Sequence, residues 1–211
     1  MTMSAVAPIR RRDADATREK LLDAALHCFS TQGFDASSTR QIEVVAGVKR
    51  GLITYHFGTK QALWEAMARR TMATARDELA EADQVENVDG TSRLRHLVRA
   101  YVHFAARHPE VNRLMIHEGM LNDWRLQWLV KHAVRPWFDR VGAVLNAARA
   151  DGLALPMENH NFFYILMGAS SVIFANAEEA RLLTGRNPLS ESEIDAHANS
   201  LSELLFPKDK S

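Results

Sequence analysis

The chain reads as all-α, with a three-helix N-terminal head followed by a larger helical body. Three observations carry this. Apolar residues recur at spacings of three and four along most of the sequence. No run alternates apolar and polar residues for more than a few positions, so no strand is expected. Gly33, His108-Pro109, Gly152 and Pro156 fall between the periodic segments, where helix ends belong. At 211 residues and 46% apolar content, the chain has material for a packed core.

The elements follow in order. Residues 1–14 are expected to be a flexible arm carrying Arg10, Arg11 and Arg12. The first helix spans about 17–32, with Leu22, Leu26 and Phe29 as its inner stripe, and Gly33 followed by Phe34 stops it. Ser38 then precedes an apolar run and Gln41 follows three residues later, the spacing of a capping box. Ile42, Val45 and Ala46 share a face of this short helix. Gly47 supplies a sharp turn and Val48 fills its angle. A second short helix opens on Lys49-Arg50 and turns Ile53 and Phe57 inward.

Two short helices joined by a glycine turn, the second beginning with two cations, form a helix-turn-helix suited to lie on DNA. The exposed groups match that surface. Arg40, Lys49 and Arg50 are candidates for phosphate or base contacts, with Ser38 beside them at the cap. Gly51 allows close approach to the groove. Leu52 and Thr54 face base edges, and an apolar tip and a hydroxyl suit a thymine methyl and polar edges. The basic arm either reaches into a minor groove or is a solvated tail.

The segments TREKLLDAALHCFSTQGF, AGV, KRGLITYHF and GTKQALWEAM together resemble the tetracycline-repressor (TetR) family of one-component transcription regulators. The resemblance covers roughly residues 17–65, and the remainder matches only in general plan. It implies that Tyr55, His56 and Lys60 clamp phosphates, and that the helix after Lys60 joins a DNA-binding head to a ligand-binding body. Two positions depart from the family pattern. Glu43 stands where alanine is usual, and a carboxylate buried there is costly unless paired. Thr54 stands where tyrosine is common, removing one phosphate-contacting ring.

Charge is segregated although the net charge is zero. Residues 1–60 hold nine Lys/Arg and six Asp/Glu, leaving 17 basic and 20 acidic residues elsewhere. The positive excess sits in the segment that would meet phosphate. Cys28 is the single cysteine, so no internal disulfide can form; it reads as core filler, with a redox sensor as the sharper alternative. No signal peptide is visible, and no stretch approaches ~20 consecutive apolar residues. A cytoplasmic protein without membrane contact is expected.

The expected domains are the arm (1–14), the helix-turn-helix head (15–60), the ligand-binding and dimerisation body (61–206) and a tail (207–211). In the body, helices are expected over about 60–82, 92–107, 110–120, 123–149 with a kink at Pro136, 158–183 and 190–206. Residues 83–92 form an acidic connection.

Helix 158–183 is apolar on two faces, so both must be covered. One face carries Phe162, Ile165, Leu166, Ala169, Val172 and Ile173, and the other Phe163, Met167, Ser170 and Phe174. A second copy of the chain is the economical partner. Phe162, Ile165, Ala169, Val172 and Ile173, with Leu201 and Leu205 of the last helix, are the expected dimer contacts. The alternative is a helix buried wholly within its own chain. A homodimer would present two recognition helices to a palindromic double-stranded operator.

Residues 101–138 are rich in aromatic, methionine and histidine side chains. His103, Met115, His117, Glu118, Met120, Trp128 and Trp137, completed by Phe163 and Met167, are candidate lining for an unidentified small-molecule effector. Ordinary core is the competing reading of each. No metal site, cofactor or catalytic site is expected: His103 and His108 are not spaced i, i+4, and neither a glycine-rich phosphate loop nor G-x-S-x-G occurs. The sequence therefore points to a ligand-switched transcriptional repressor. An activator with the same head, or an all-α binding protein or enzyme with a vestigial head, are the competing readings.

Overall fold

The computed structural model of the chain describes residues 6–81 and 88–206. Residues 1–5, 82–87 and 207–211 lie outside the described residues and include the start of the expected arm, much of the acidic connection and the tail. Among the described residues the fold is all-α. The chain divides into two units, the first ending at Thr71 and the second starting at Met72.

The head contains α1 (Val6–Ala36), α2 (Thr39–Val45), α3 (Leu52–Phe57) and the first part of α4 (Lys60–Glu81). Helix α1 begins at Val6, so residues 6–14 are helical and not an irregular arm. Pro8 falls in the first turn, where its missing N–H is tolerated, and the alanine, arginine and aspartate residues after it extend the helix to the apolar stripe. Gly33 interrupts the helix with φ 80°. Beyond it Phe34 folds back to put its ring 5.5 Å from that of Phe29, as the stop signal predicts. Leu21, Leu22, Ala25, Cys28 and Phe29 of α1 are buried, as are Ile42, Ile53, Leu63, Trp64, Met67 and Ala68. Because α4 contributes four of these, the head extends beyond residue 60 into that helix. Burial raises the Cys28 thiol pKa. That disfavours the thiolate a redox sensor needs and supports the filler reading.

The body contains the end of α4, α5 (Gly90–Arg107), α6 (Pro109–Gly119), α7 (Trp124–Leu129), α8 (Arg135–Ala150), α9 (Asn159–Ala175), α10 (Ala177–Thr184) and α11 (Glu191–Leu205). Helix α5 is central, packing on α8, α9 and α11. Its Leu94, Leu97, Val98 and Val102 meet Val141, Leu145, Phe162, Leu166, Phe174 and Leu201 in one core.

Two long helices are divided. The segment expected at 123–149 is split by a π-helical turn, Val130–Val134, with Arg135 N–H bonded to Val130 O. Pro136 lies just beyond, in the first turn of α8. The segment expected at 158–183 breaks at Asn176 (φ −106°, ψ 38°), which ends α9 and begins α10.

The start of α5 lies close against the end of α8. A Cβ on Gly90 would lie 2.6 Å from the Ala147 carbonyl carbon and the Ala148 nitrogen. The Gly90 N–H donates to Asp151 Oδ2 at 2.6 Å. Gly90→Ala is expected to lower the unfolding free energy by about 1–3 kcal/mol. Urea denaturation followed by circular dichroism will measure this, with an unchanged midpoint counting against the packing assignment.

Candidate functional site

The helix-turn-helix is built from backbone outward. Ser38 Oγ accepts from Gln41 N–H at 3.1 Å and caps α2. Only this half of the expected capping box forms, because the Gln41 amide donates to Gln32 Oε1 at 2.9 Å instead. At the far end Gly47 N–H donates to Val44 O, and Val48 N–H to Glu43 O, both at 3.1 Å. With Gly47 at φ 64° this is a complete Schellman motif. Lys49 and Arg50 lie in the turn, not in the helix that follows. Helix α3 starts at Leu52 because Gly51, at φ 88°, adopts the left-handed conformation. A Cβ on Gly51 would meet nothing within 4 Å. Glycine is therefore needed here for its backbone angle, not for space.

Gly51 has no side chain to cap α3, and Glu43 supplies the cap. Its carboxylate is buried and accepts Ile53 N–H through Oε1 at 2.9 Å. The cost of burying this acid is offset by an otherwise orphaned backbone donor and by the positive end of α3. Sequence reasoning singled out Glu43 as needing a partner but missed its positioning role. Its burial displaces Val45, which with Val44 is exposed on α2; Ile42 and Glu43 form the inner face.

Arg40, Lys49, Arg50, Gly51, Thr54 and Tyr55 are exposed, while Leu52 and His56 are half-buried. His56 meets the Tyr55 ring edge-on at 5.0 Å. Lys60 is the exception among the expected contacts. Its Nζ donates to Phe34 O at 2.8 Å and Ser37 O at 3.1 Å, and lies 4.2 Å from the Phe34 ring centroid. Lys60 is thus a strut holding the chain after α1, where the Phe34 carbonyl also accepts the Ser37 N–H at 3.3 Å.

In the body, Met115, Trp137 and Met167 converge with Leu79, Tyr101, Phe104 and Val111 in one cluster. Trp137 stacks on Tyr101 at 5.6 Å, and Phe163 is buried against Phe138 at 5.2 Å. The other expected lining residues are placed differently. His117 and Met120 face solvent, at the end of α6 where the helix turns outward. Glu118 is buried but committed to Arg125, whose Nε lies 2.8 Å from its Oε2; Arg125 also reaches Asp123 at 2.8 Å. His103 turns toward Asp195 of α11 at 3.3 Å. Trp128 stacks on His132 at 4.5 Å, outside that cluster.

The expected dimer contacts also divide. Phe162, Leu201 and Leu205 are buried in the body's own core. They lie on the faces of α9 and α11 that meet α5. Ala169 and Ile173 are half-buried. Ile165 and Val172 are 45% and 46% exposed, with Tyr164 of α9 and Leu204 of α11 more exposed still. The unpartnered apolar surface therefore includes the stripe 164, 165, 172, rotated from the one expected.

A charged cluster ties the end of α4 to the α5–α6 junction. Glu78 Oε1 lies 2.8 Å from His108 Nε2, and its Oε2 accepts from Arg107 Nη2 at 2.8 Å. Glu110 lies 3.6 Å from His108 Nδ1. The His108 pKa is raised, chiefly by Glu110; burial opposes this and Glu78 adds to it. Burial would raise Glu78 and Glu110, but the bonds from Arg107 and His108 to Glu78, and from His108 to Glu110, bring both below their ordinary values.

The family model for bacterial regulatory proteins of the tetR family matches residues 21–67. The model for tetracyclin repressor-like C-terminal domains matches residues 91–205, more than half of the chain. The chain belongs to the tetR family of bacterial regulatory proteins. It is 34% identical over 74 residues to the transcriptional repressor AcnR of Corynebacterium efficiens, covering 35% of this chain and 39% of AcnR. It is 22% identical over 197 residues to the regulator RutR of Escherichia coli, covering 93% of this chain and 92% of RutR. Among solved structures it is similar to AibR in complex with isovaleryl coenzyme A and operator DNA, with a TM-score of 0.73, 17% identity and coverage of 90% and 98%. Among the described residues no helix is long and apolar enough to cross a membrane.

Two outcomes test this geometry. Glu43→Ala strands the Ile53 N–H and is expected to cost about 1–3 kcal/mol in urea unfolding, whereas Glu43→Gln keeps an acceptor and loses less; equal losses would remove the capping role. For His108, the raised pKa means that its contribution is full below the ordinary histidine value and fades as pH rises through the raised value. Glu78 and Glu110 contribute above the ordinary carboxylate range and fade as pH falls through their lowered values. His108→Gln is therefore expected to flatten the loss of stability as pH rises from the ordinary histidine value through the raised one. The change should be below about 1 kcal/mol, because the cluster is partly solvated.

Proposed function

We propose that this chain is a homodimeric, sequence-specific DNA-binding transcriptional repressor whose operator affinity is changed by a small molecule bound in the body. The observation that carries the reading is the helix-turn-helix held by Glu43, which leaves Arg40, Lys49, Arg50, Thr54 and Tyr55 exposed on one short segment. Lys49 and Arg50 precede α3, where their side chains suit the phosphates flanking a groove, and Thr54 and Tyr55 lie within α3. Ser38, Gly51, Leu52 and His56 complete the proposed contacts. Lys60 contributes through the strut it makes.

Dimerisation is supported by the exposed Tyr164, Ile165, Val172 and Leu204, an apolar surface on two neighbouring helices that a second copy would cover. Two heads related by a two-fold axis would read half-sites about 34–36 Å apart. Repression is favoured over activation by the function named for AcnR. A small-molecule effector is favoured by the acyl-thioester in the AibR complex. The regulator acts in the cytoplasm, with its operator. Helix α4 supplies side chains to both units, and we infer that an effector acts by changing the restraints on its Glu78 end. The effector shifts DNA affinity only as far as its own affinity differs between the two states.

The test is selection of bound duplexes from a random library by the parent, Arg50→Ala and Val172→Glu. The parent should enrich a palindrome. Arg50→Ala should remain folded yet bind that site about tenfold or more weakly. Val172→Glu should sediment as a monomer and lose the palindrome. With ~10 phosphate contacts per dimer, log affinity should fall against log salt with a slope near −9. No enriched site, or equal binding by Arg50→Ala, overturns the reading.

A further inference from the structure

Two buried polar atoms of the body, the Trp137 indole Nε1 on α8 and the Ser170 Oγ on α9, have no hydrogen-bond partner among the described residues. Buried groups of this kind are nearly always satisfied, and each exception needs a cause. An indole N–H can only donate, so its missing partner must be an acceptor. Ser170 is fully buried. The usual escape for a helical serine is a bond to the carbonyl one turn earlier. Ser171 takes it, donating to Met167 O at 2.7 Å, and Ser170 does not.

The surroundings bring the two groups to one region. Met167, one turn before Ser170, packs in the same cluster as Trp137, together with Tyr101, Phe104 and Met115. The Arg140 guanidinium lies over the Trp137 ring at 5.2 Å and also donates to Leu79 O of α4 at 2.6 Å. An unmet indole donor beside a cation, with an unmet hydroxyl one turn from Met167 of the same aromatic and thioether cluster, points to an anionic acceptor.

We propose that the body binds a small apolar carboxylate whose oxygens accept from Trp137 Nε1 and Ser170 Oγ, with its hydrocarbon part among Tyr101, Met115 and Met167. This rests on the effector reading above and specifies its ligand class. The placement also gives the ligand a route to α4. Trp137 and Arg140 are one helical turn apart, so a carboxylate drawn to the indole competes for the guanidinium that holds the Leu79 carbonyl.

The test uses the full-length chain, with phenylpropanoate and octanoate as probes and phenylpropanol and phenylpropylamine as matched controls. Calorimetric titration should detect the carboxylates and not the amine. Trp137→Phe and Ser170→Ala should each weaken carboxylate binding about tenfold. Without ligand, Ser170→Ala should leave the melting temperature unchanged or raise it by about 2–4 °C, since it removes an unmet group. The proposal is overturned if no carboxylate binds, if the amine binds as well, or if both variants bind like the parent. It is also overturned if Ser170→Ala lowers the melting temperature, because the hydroxyl would then already have a structural partner such as a bound water. A parent that binds its operator and ignores carboxylates overturns this inference alone. One that binds carboxylates through these residues but no DNA overturns the regulatory reading and keeps the ligand site.

Discussion

The bond from Ile53 N–H to the buried Glu43 carboxylate decides how the head can work. A six-residue helix has too few internal bonds to hold itself in place, and α3 begins at a glycine that offers no side-chain cap. Its direction must therefore come from outside. Glu43 supplies a fixed acceptor from the inner face of α2, and the Schellman turn at Gly47 fixes the distance between the two helices. The surface presented by Lys49 to Tyr55 follows from these constraints. The same bond explains how an acid can occupy a site where a small apolar residue is usual. It replaces lost packing with a charge-assisted bond to a helix N-terminus.

The body solves a different problem. Helix α5 is surrounded by α8, α9 and α11, so its buried residues set the spacing of all three. That leaves α9 with one face committed and another, including Ile165 and Val172, uncovered. Polar groups are treated in two ways. Glu118, Arg125 and Asp123 form an ionic staple between α6 and α7, fully paired despite its burial. Glu78, His108 and Glu110 are paired at the partly solvated end of α4, where pairing is weaker and responds to protonation.

Much of this was legible from the chain. Gly33, Gly47 and His108-Pro109 mark real helix ends because each acts through local backbone geometry that needs no distant partner. The all-α class and the two-faced character of 158–183 follow from periodicity alone. What depended on tertiary choice was less accessible. Lys60 has the same charge as Lys49, and only the Phe34 and Ser37 carbonyls within its reach turn it into a strut. Phe162 and Ile165 lie a single turn apart and share one face by periodicity. The packing angle of α5 decided which of them is buried. His117 and Met120 have the composition of a pocket lining, but the end of α6 turns them outward. Glu118 reads as a ligand-orienting group in an apolar region, but its partner Arg125 lies across a turn that periodicity does not resolve.

The π-helical turn at Val130–Val134 has a consequence for kinship. It accommodates one residue more than an α-helix would over the same rise, so the side chains of α8 are rotated relative to those of α7 by about a quarter turn or more. A relative that lacks this residue would keep both apolar stripes in place by losing the bulge instead of shifting either helix. Pairwise matching of such chains should thus place its gap inside a helical stretch, at 130–134, where gaps are ordinarily penalised most. Residues after Trp128 would otherwise be equated one position out of phase, pairing the core-facing Val134 with a neighbour that faces water.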